Sequence, residues 1–109
     1  MIIATDVWVS ALIRRAELAG ASAAVVKKGE ARSGAVIVKA YDTRQRRARL
    51  YTEAVGADGE PLWLQPVESE FEGELDAYLE RQRRYDPDLW VVEIEDRDGR
   101  HFIEEKVRP

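Results

Sequence analysis

The spacing of apolar positions changes several times along the chain, and each change marks an element. From Asp6 to Ala19, the residues Trp8, Ala11, Leu12, Ala16 and Ala19 recur at helical spacing and share one face of an amphipathic helix. Arg14, Arg15 and Glu17 fall largely off that face. Thr5 or Asp6 is the expected cap of its first turn, and Gly20 the left-handed stop. A strand-rich region follows. Ala23 to Lys28 reads as a first strand, and Ala35 to Tyr41 as a stronger one, rich in β-branched residues. Glycines bound the loop between them at Gly29 and Gly34. Arg47 to Thr52 alternates: Ala48, Leu50 and Thr52 lie on one face, and Arg47, Arg49 and Tyr51 on the other. Asp58-Gly59 turns the chain into a short strand, Leu62 to Gln65, ended by Pro66.

A second helix is predicted next. Ser69 and Glu72 have capping-box spacing, and Phe71, Leu75, Tyr78, Leu79 and Gln82 line up on one face. Acids crowd its start and arginines its end, which complements the helix dipole. Asp86-Pro87 stops it. Trp90 to Glu95 reads as a strand with Trp90, Val92 and Ile94 on its apolar side, and Asp98-Gly99 is a strong hairpin signal. A two-residue loop returning through Arg100 to Glu104 would set Arg97 across from Arg100, Asp96 from His101, Glu95 from Phe102 and Ile94 from Ile103. The pattern predicts an α+β domain in the order α-β-β-β-β-α-β-β. Its sheet would be mainly antiparallel, with five to six strands and both helices on one face.

Composition narrows the class. The chain has 109 residues, 45% hydrophobic and 35% charged, which suits one domain spanning 1–109 without a linker. There is no cysteine, so disulfides, thiolate nucleophiles and cysteine-based zinc sites are excluded. The opening Met1 to Asp6 lacks a leader pattern, and no apolar run is long enough to span a bilayer. A cytoplasmic protein without cofactor or metal is the expectation. The net charge of −4 conceals a split: Met1 to Thr52 carries ten basic and four acidic residues, Glu53 to Pro109 seven basic and seventeen acidic. In one folded unit the two halves are expected to pair with each other.

Few residues combine into recognisable chemistry. His101 is the only histidine. Across from Asp96 it would be held charged, as a cross-strand pair with no nucleophile attached to it. Pro87-Asp88 with Glu104-Glu105-Lys106 loosely follows a metal-dependent nuclease pattern, in which two acids hold a divalent ion and a lysine assists water. The hairpin register would bring Asp88 near Lys106. Glu93, Glu95, Asp96 and Asp98 lie on a strand and tight turn, which fits a solvated face better than a calcium loop. Lys27-Lys28-Gly29 lacks the leading glycine and hydroxyl of a phosphate-binding loop. Arg44, Arg46, Arg47 and Arg49, with Tyr51 continuing the row, could attract phosphates and stack bases. The same residues also suit an exposed sheet face kept soluble by arginine.

Two stretches resemble a known family. They are Trp8-Val9-Ser10-Ala11-Leu12-Ile13-Arg14-Arg15 and Tyr85-Asp86-Pro87-Asp88-Leu89-Trp90-Val91-Val92-Glu93-Ile94-Glu95-Asp96-Arg97-Asp98-Gly99-Arg100. Both are similar to a bacterial family, found mainly in alphaproteobacteria, known as domain of unknown function 1491. The resemblance runs nearly the whole chain and implies a bacterial cytoplasmic protein, but no catalytic or binding residue. The leading expectation is therefore a non-catalytic interaction domain that binds a protein partner or itself. A nucleic-acid-binding domain using Arg44, Arg46, Arg47, Arg49 and Tyr51 is the alternative, and a metal-dependent hydrolase on the last hairpin is a third.

Overall fold

A computed structural model describes residues 3–108. Met1, Ile2 and Pro109 lie outside the described residues, and with them the start of the stretch read for a leader. The elements are α1 (Thr5–Leu18), β1 (Ser22–Lys27), β2 (Val36–Asp42), β3 (Arg47–Val55), β4 (Pro61–Leu64), α2 (Glu72–Tyr85) and β5 (Trp90–Asp96). The strands form one sheet in the order β1-β5-β2-β3-β4. Three of its four pairings are antiparallel, and β2 with β5 is parallel. The α+β class with two helices and a mainly antiparallel sheet is as the pattern predicts, and the central parallel pair makes the sheet mixed. That pair requires a crossover between its strands, which β3, β4 and α2 supply.

The helices lie on opposite faces, not on one. Alternate residues of the central strands separate into two cores. Trp8, Val9, Leu12 and Ala16 of α1 pack with Val36, Val38, Ala40, Trp90, Val92 and Ile94. Leu75 and Leu79 of α2 pack with Ile37, Leu50 and Val91. Consecutive apolar residues in β2 and β5 are the physical cause, because a strand covered on both sides has no solvent face to keep polar.

The final return strand does not form. β5 already has β1 on one side and β2 on the other, so no backbone edge is left for residues 100–104. The Asp98-Gly99 turn is present, with Gly99 at φ +69°. Phe102 then adopts φ +60° and diverts the chain across the α1 face. There Ile103 is buried, and the Phe102 carbonyl accepts hydrogen bonds from Arg15 Nε and Nη2 at 3.2 and 2.9 Å. The strap ends beside β4: Trp63 N–H donates to the Lys106 carbonyl and Arg108 N–H to the Trp63 carbonyl, both at 2.8 Å. The rings of Trp8 and Trp63 stack 5.0 Å apart below it.

Neither predicted helix cap is made. Thr5 is the first residue of α1 rather than its cap, and its hydroxyl donates to the Gly34 carbonyl at 2.9 Å. Ser69 Oγ accepts from the Phe71 N–H at 3.1 Å, one step short of a capping box. Leu75 and Leu79 are the buried positions of α2, whereas Phe71 is 76% exposed.

Candidate functional site

The β2–β3 hairpin holds the arginine row that the sequence singles out. Arg47 faces Asp42, Arg49 faces Ala40 and Tyr51 faces Val38 across the ladder, so the three share the α1 side. At the open end α1 no longer covers the sheet. A cleft of about 240 Å³ lies there, lined among others by Asp42, Arg47, Arg49, Glu70 and Asp98. Arg46 reaches the left-handed region, φ +56°, at the hairpin tip. Asp42 Oδ1 holds that tip by accepting from the Arg44 and Gln45 N–H groups at 3.0 and 2.9 Å.

Acids from the second half of the chain neutralise most of this row. Glu70 pairs with Arg47 at 3.7 Å and with Arg49 at 3.4 Å, and Arg44 lies 3.5 Å from Asp98. Lys39, on the opposite face, lies 2.8 Å from Glu72 and 3.0 Å from Asp76. Burial opposes its charge, but these two acids outweigh burial and hold its pKa above the ordinary lysine value. The charge split between the halves is thus in part an internal pairing. The sequence reading missed Lys39. Its signal is a lone cation inside the apolar run of β2, matched by two acids four apart on α2.

Tyr51 is buried, and burial raises its hydroxyl pKa against the opposing Arg49. A ring in that position offers no face to a nucleic-acid base. His101 covers it, edge-on at 4.7 Å. His101 does not pair with Asp96. Its Nδ1 accepts from the Ile103 N–H at 2.9 Å, which places the proton of the neutral ring on Nε2. Burial lowers its pKa, opposite to the direction expected from a carboxylate partner.

Asp96 is bound elsewhere. Its carboxylate accepts from Arg100 Nε and Nη2, both at 2.9 Å, and from the N–H groups of Asp98 and Arg100 at 3.1 and 3.0 Å. The Arg100 side-chain bond comes first among the causes that bring the Asp96 pKa down to about 2. The acid–lysine arrangement is not assembled either. Asp88 precedes β5, while Lys106 lies on the outer side of β4, four strand spacings away, or roughly 19 Å. Among the described residues no group of three histidine, aspartate or glutamate side chains converges on one point.

The outer edge of β1 is the part of the sheet left open. β4, at the opposite margin, is met by residues 106–108, but β1 has β5 on one side and no strand on the other among the described residues. Ser22, Ala24, Val25 and Val26 are exposed. The pairing register shifts between Val25 and Lys27, and Lys27 folds back so that its ammonium donates to the Pro87 and Leu89 carbonyls at 2.8 Å. The regular run is therefore Ser22 to Val25. This edge was not read from the sequence, because nothing in the composition of a strand states which of its sides is unpaired.

Comparison with known proteins agrees with this fold. The model of a protein family of unknown function, DUF1491, matches residues 3–104, and the chain belongs to that family. A crystal structure of a DUF1491 family protein from Caulobacter crescentus is 64% identical, with a TM-score of 0.96 over 98% of this chain and all of that one. An NMR structure of a family protein from the same organism is 63% identical, with a TM-score of 0.92 over all of this chain and 99% of the other. The solution structure of a protein from A. tumefaciens is 36% identical, with a TM-score of 0.82 over all of this chain and 98% of that one. No curated protein matches. Among the described residues no helix is long and apolar enough to cross a membrane.

Proposed function

We propose that this member of the family is a non-catalytic interaction domain that adds an extended polypeptide segment to the open edge of β1. The carrying observation is that edge: a regular run whose outward backbone groups have no partner strand among the described residues, in a sheet whose other margin is met by the strap. An unpaired strand is a template for another chain, because main-chain hydrogen bonds supply affinity whatever the side chains. The chemistry elsewhere supports the same reading. His101 uses Nδ1 internally, Asp96 is taken by Arg100, and Arg44, Arg47 and Arg49 have acidic partners. The cysteine-free sequence supports a cytoplasmic setting.

A second reading keeps nucleic acid in view, because the ring of Phe71 is exposed beside Arg46 and Arg47 in a separate depression. One experiment separates the two. Extended peptides and short single-stranded RNA are titrated into isotopically labelled protein, and amide shifts are followed. Interaction at the edge moves the amides of Ala23 and Val25 and is lost in Val25→Pro, which lacks the donor. It survives Arg47→Gln with Arg49→Gln. Peptide shifts confined to other surfaces would refute the edge reading. RNA binding abolished by the double Gln variant would favour the nucleic-acid one, and a concentration-dependent homodimer would make a second copy the occupant.

A further inference from the structure

The direction of the backbone groups on β1 follows from its neighbours. Trp90 N–H donates to the Ala35 carbonyl at 2.8 Å and Thr43 N–H to the Asp96 carbonyl at 3.1 Å, at the two ends of the parallel β2–β5 ladder. In such a ladder alternate residues turn both backbone groups to the same neighbour. Trp90, Val92, Ile94 and Asp96 therefore face β2, and Val91, Glu93 and Glu95 face β1. Glu95 lies across from Ser22 and Glu93 across from Ala24, so these are the hydrogen-bonded pairs. Ala23 and Val25 then direct their N–H and C=O groups outward, and an incoming strand bonds to them.

The side chains around that edge describe what the strand carries. α2 packs over Ile37, Leu50 and Val91, and beside it a shallow depression of about 300 Å³ is lined by Ser22, Ala23, Ala24, Val26, Glu93 and Glu95. Glu95 makes no ion pair among the described residues, and Glu93 has only the electrostatic influence of Lys39. Ser22 and Ala24 stand between these acids and the open edge, and both are short. A residue added opposite Ala24 sits two strand spacings, or about 10 Å, from the Glu93 backbone. Extended lysine or arginine meets an extended glutamate over that gap, across a methyl group that does not obstruct it. On the other face Val25 is 40% exposed beside the α1-side core, which suits an apolar side chain from the same strand.

We infer that the β1 edge takes an extended segment in which basic residues alternate with apolar ones, the basic side chains crossing Ser22 and Ala24 to reach Glu93 and Glu95. This rests on the edge reading above and adds the partner's chemistry. A second copy is the poorer occupant, because its own β1 brings serine, alanine and valine to the acidic side.

The test uses two soluble peptides, one alternating arginine with valine and one alternating glutamate with valine, titrated into the intact protein with the amides of Ala23 and Val25 as reporters. The arginine peptide is expected to bind at those amides at least tenfold more tightly than the glutamate peptide. Glu93→Gln with Glu95→Gln, both solvent-accessible, should remove most of that preference and leave the fold unchanged. Ala24→Arg, which supplies a guanidinium to the two acids from within, should do the same with the backbone edge still open. If both peptides bind equally at Ala23 and Val25, or if the double Gln variant keeps the preference, the charge inference is overturned and the edge reading stands. If neither peptide moves those amides, both are overturned.

Discussion

Asp96 is the residue whose removal reports most directly on how the last turn is built. Its side chain is 3% exposed, and it accepts two bonds from the Arg100 guanidinium and two from backbone N–H groups of the turn. These bonds favour the charged carboxylate over the protonated one, and that difference appears as proton linkage. A carboxyl moved from 3.8 to about 2 contributes roughly 2 kcal/mol at neutral pH. The sign follows from the depressed pKa: the contribution is fully present above the unfolded value near 3.8 and is lost as pH falls through about 2. Arg100 is half exposed and returns to water when its partner is removed, so the desolvation penalty of a fully buried orphan charge does not apply.

Asp96→Asn keeps the shape and one acceptor but not the charge. The expected loss at pH 7 is about 2 kcal/mol, or roughly 10 °C in Tm for a domain of this size. Urea unfolding of both proteins at constant ionic strength, from pH 7 to pH 2.5, measures it. The gap should be flat above pH 5 and should narrow steadily below pH 4. A gap that stays constant to the lowest pH would show that the turn is held by shape rather than by the carboxylate charge. A gap under about 0.5 kcal/mol at pH 7 would place Asp96 among ordinary surface acids.

Three further outcomes are expected. The His101 imidazole, its pKa lowered by burial, contributes stability that is present above the unfolded histidine value and lost as pH falls through the lower folded one. An NMR titration should find its midpoint below that of a free histidine and unmoved by Asp96→Asn, and a raised midpoint would contradict the geometry. Leu75→Ala and Leu79→Ala should each destabilise by about 2–5 kcal/mol and Glu74→Ala by under about 0.5, since the leucines are buried and Glu74 is exposed; equal losses in chemical denaturation would misplace the α2 face. Lys39→Met should change stability by no more than about 1 kcal/mol, because Glu72 and Asp76 are each about half exposed and re-solvate, as replaced ion pairs often do; a loss above about 3 kcal/mol would show the ammonium to be essential to the sheet.

What the sequence shows of the fold is what local periodicity encodes. The apolar stripe of α1, the alternation of β3, the Leu75–Leu79 face of α2 and the Asp98-Gly99 turn are readable from neighbouring residues. The partner of a strand is not a local property. A turn such as Asp98-Gly99 favours a hairpin only while the first strand has a free side, and the sides of β5 are filled by β1 and by β2, both distant in sequence. The helix placement had a readable signal. Val36-Ile37-Val38 and Trp90-Val91-Val92 are uninterrupted apolar runs, and such runs indicate strands covered on both faces. Counting only Trp90, Val92 and Ile94 as the apolar side of β5 conceals Val91, which packs under α2.

The candidate sites divide along the same line. The arginine row is legible because alternation puts Arg47 and Arg49 on one side, but its chemistry depends on Glu70, which reaches it from before α2, and on the strap that covers Tyr51. Both come from the acidic half, so charge at the β2–β3 hairpin could be judged only after the halves were packed together. The edge of β1 is the opposite case. Its residues are small and uncharged and suggest no chemistry in the linear chain. They matter because, among the described residues, the other margin of the sheet is met by the strap at Trp63, whereas Ala23 and Val25 face outward, with short side chains between the edge and a pair of glutamates. A site made of position rather than of reactive residues is invisible to motif reading, and that is why the most informative experiment perturbs backbone donors and nearby charge instead of a presumed catalytic group.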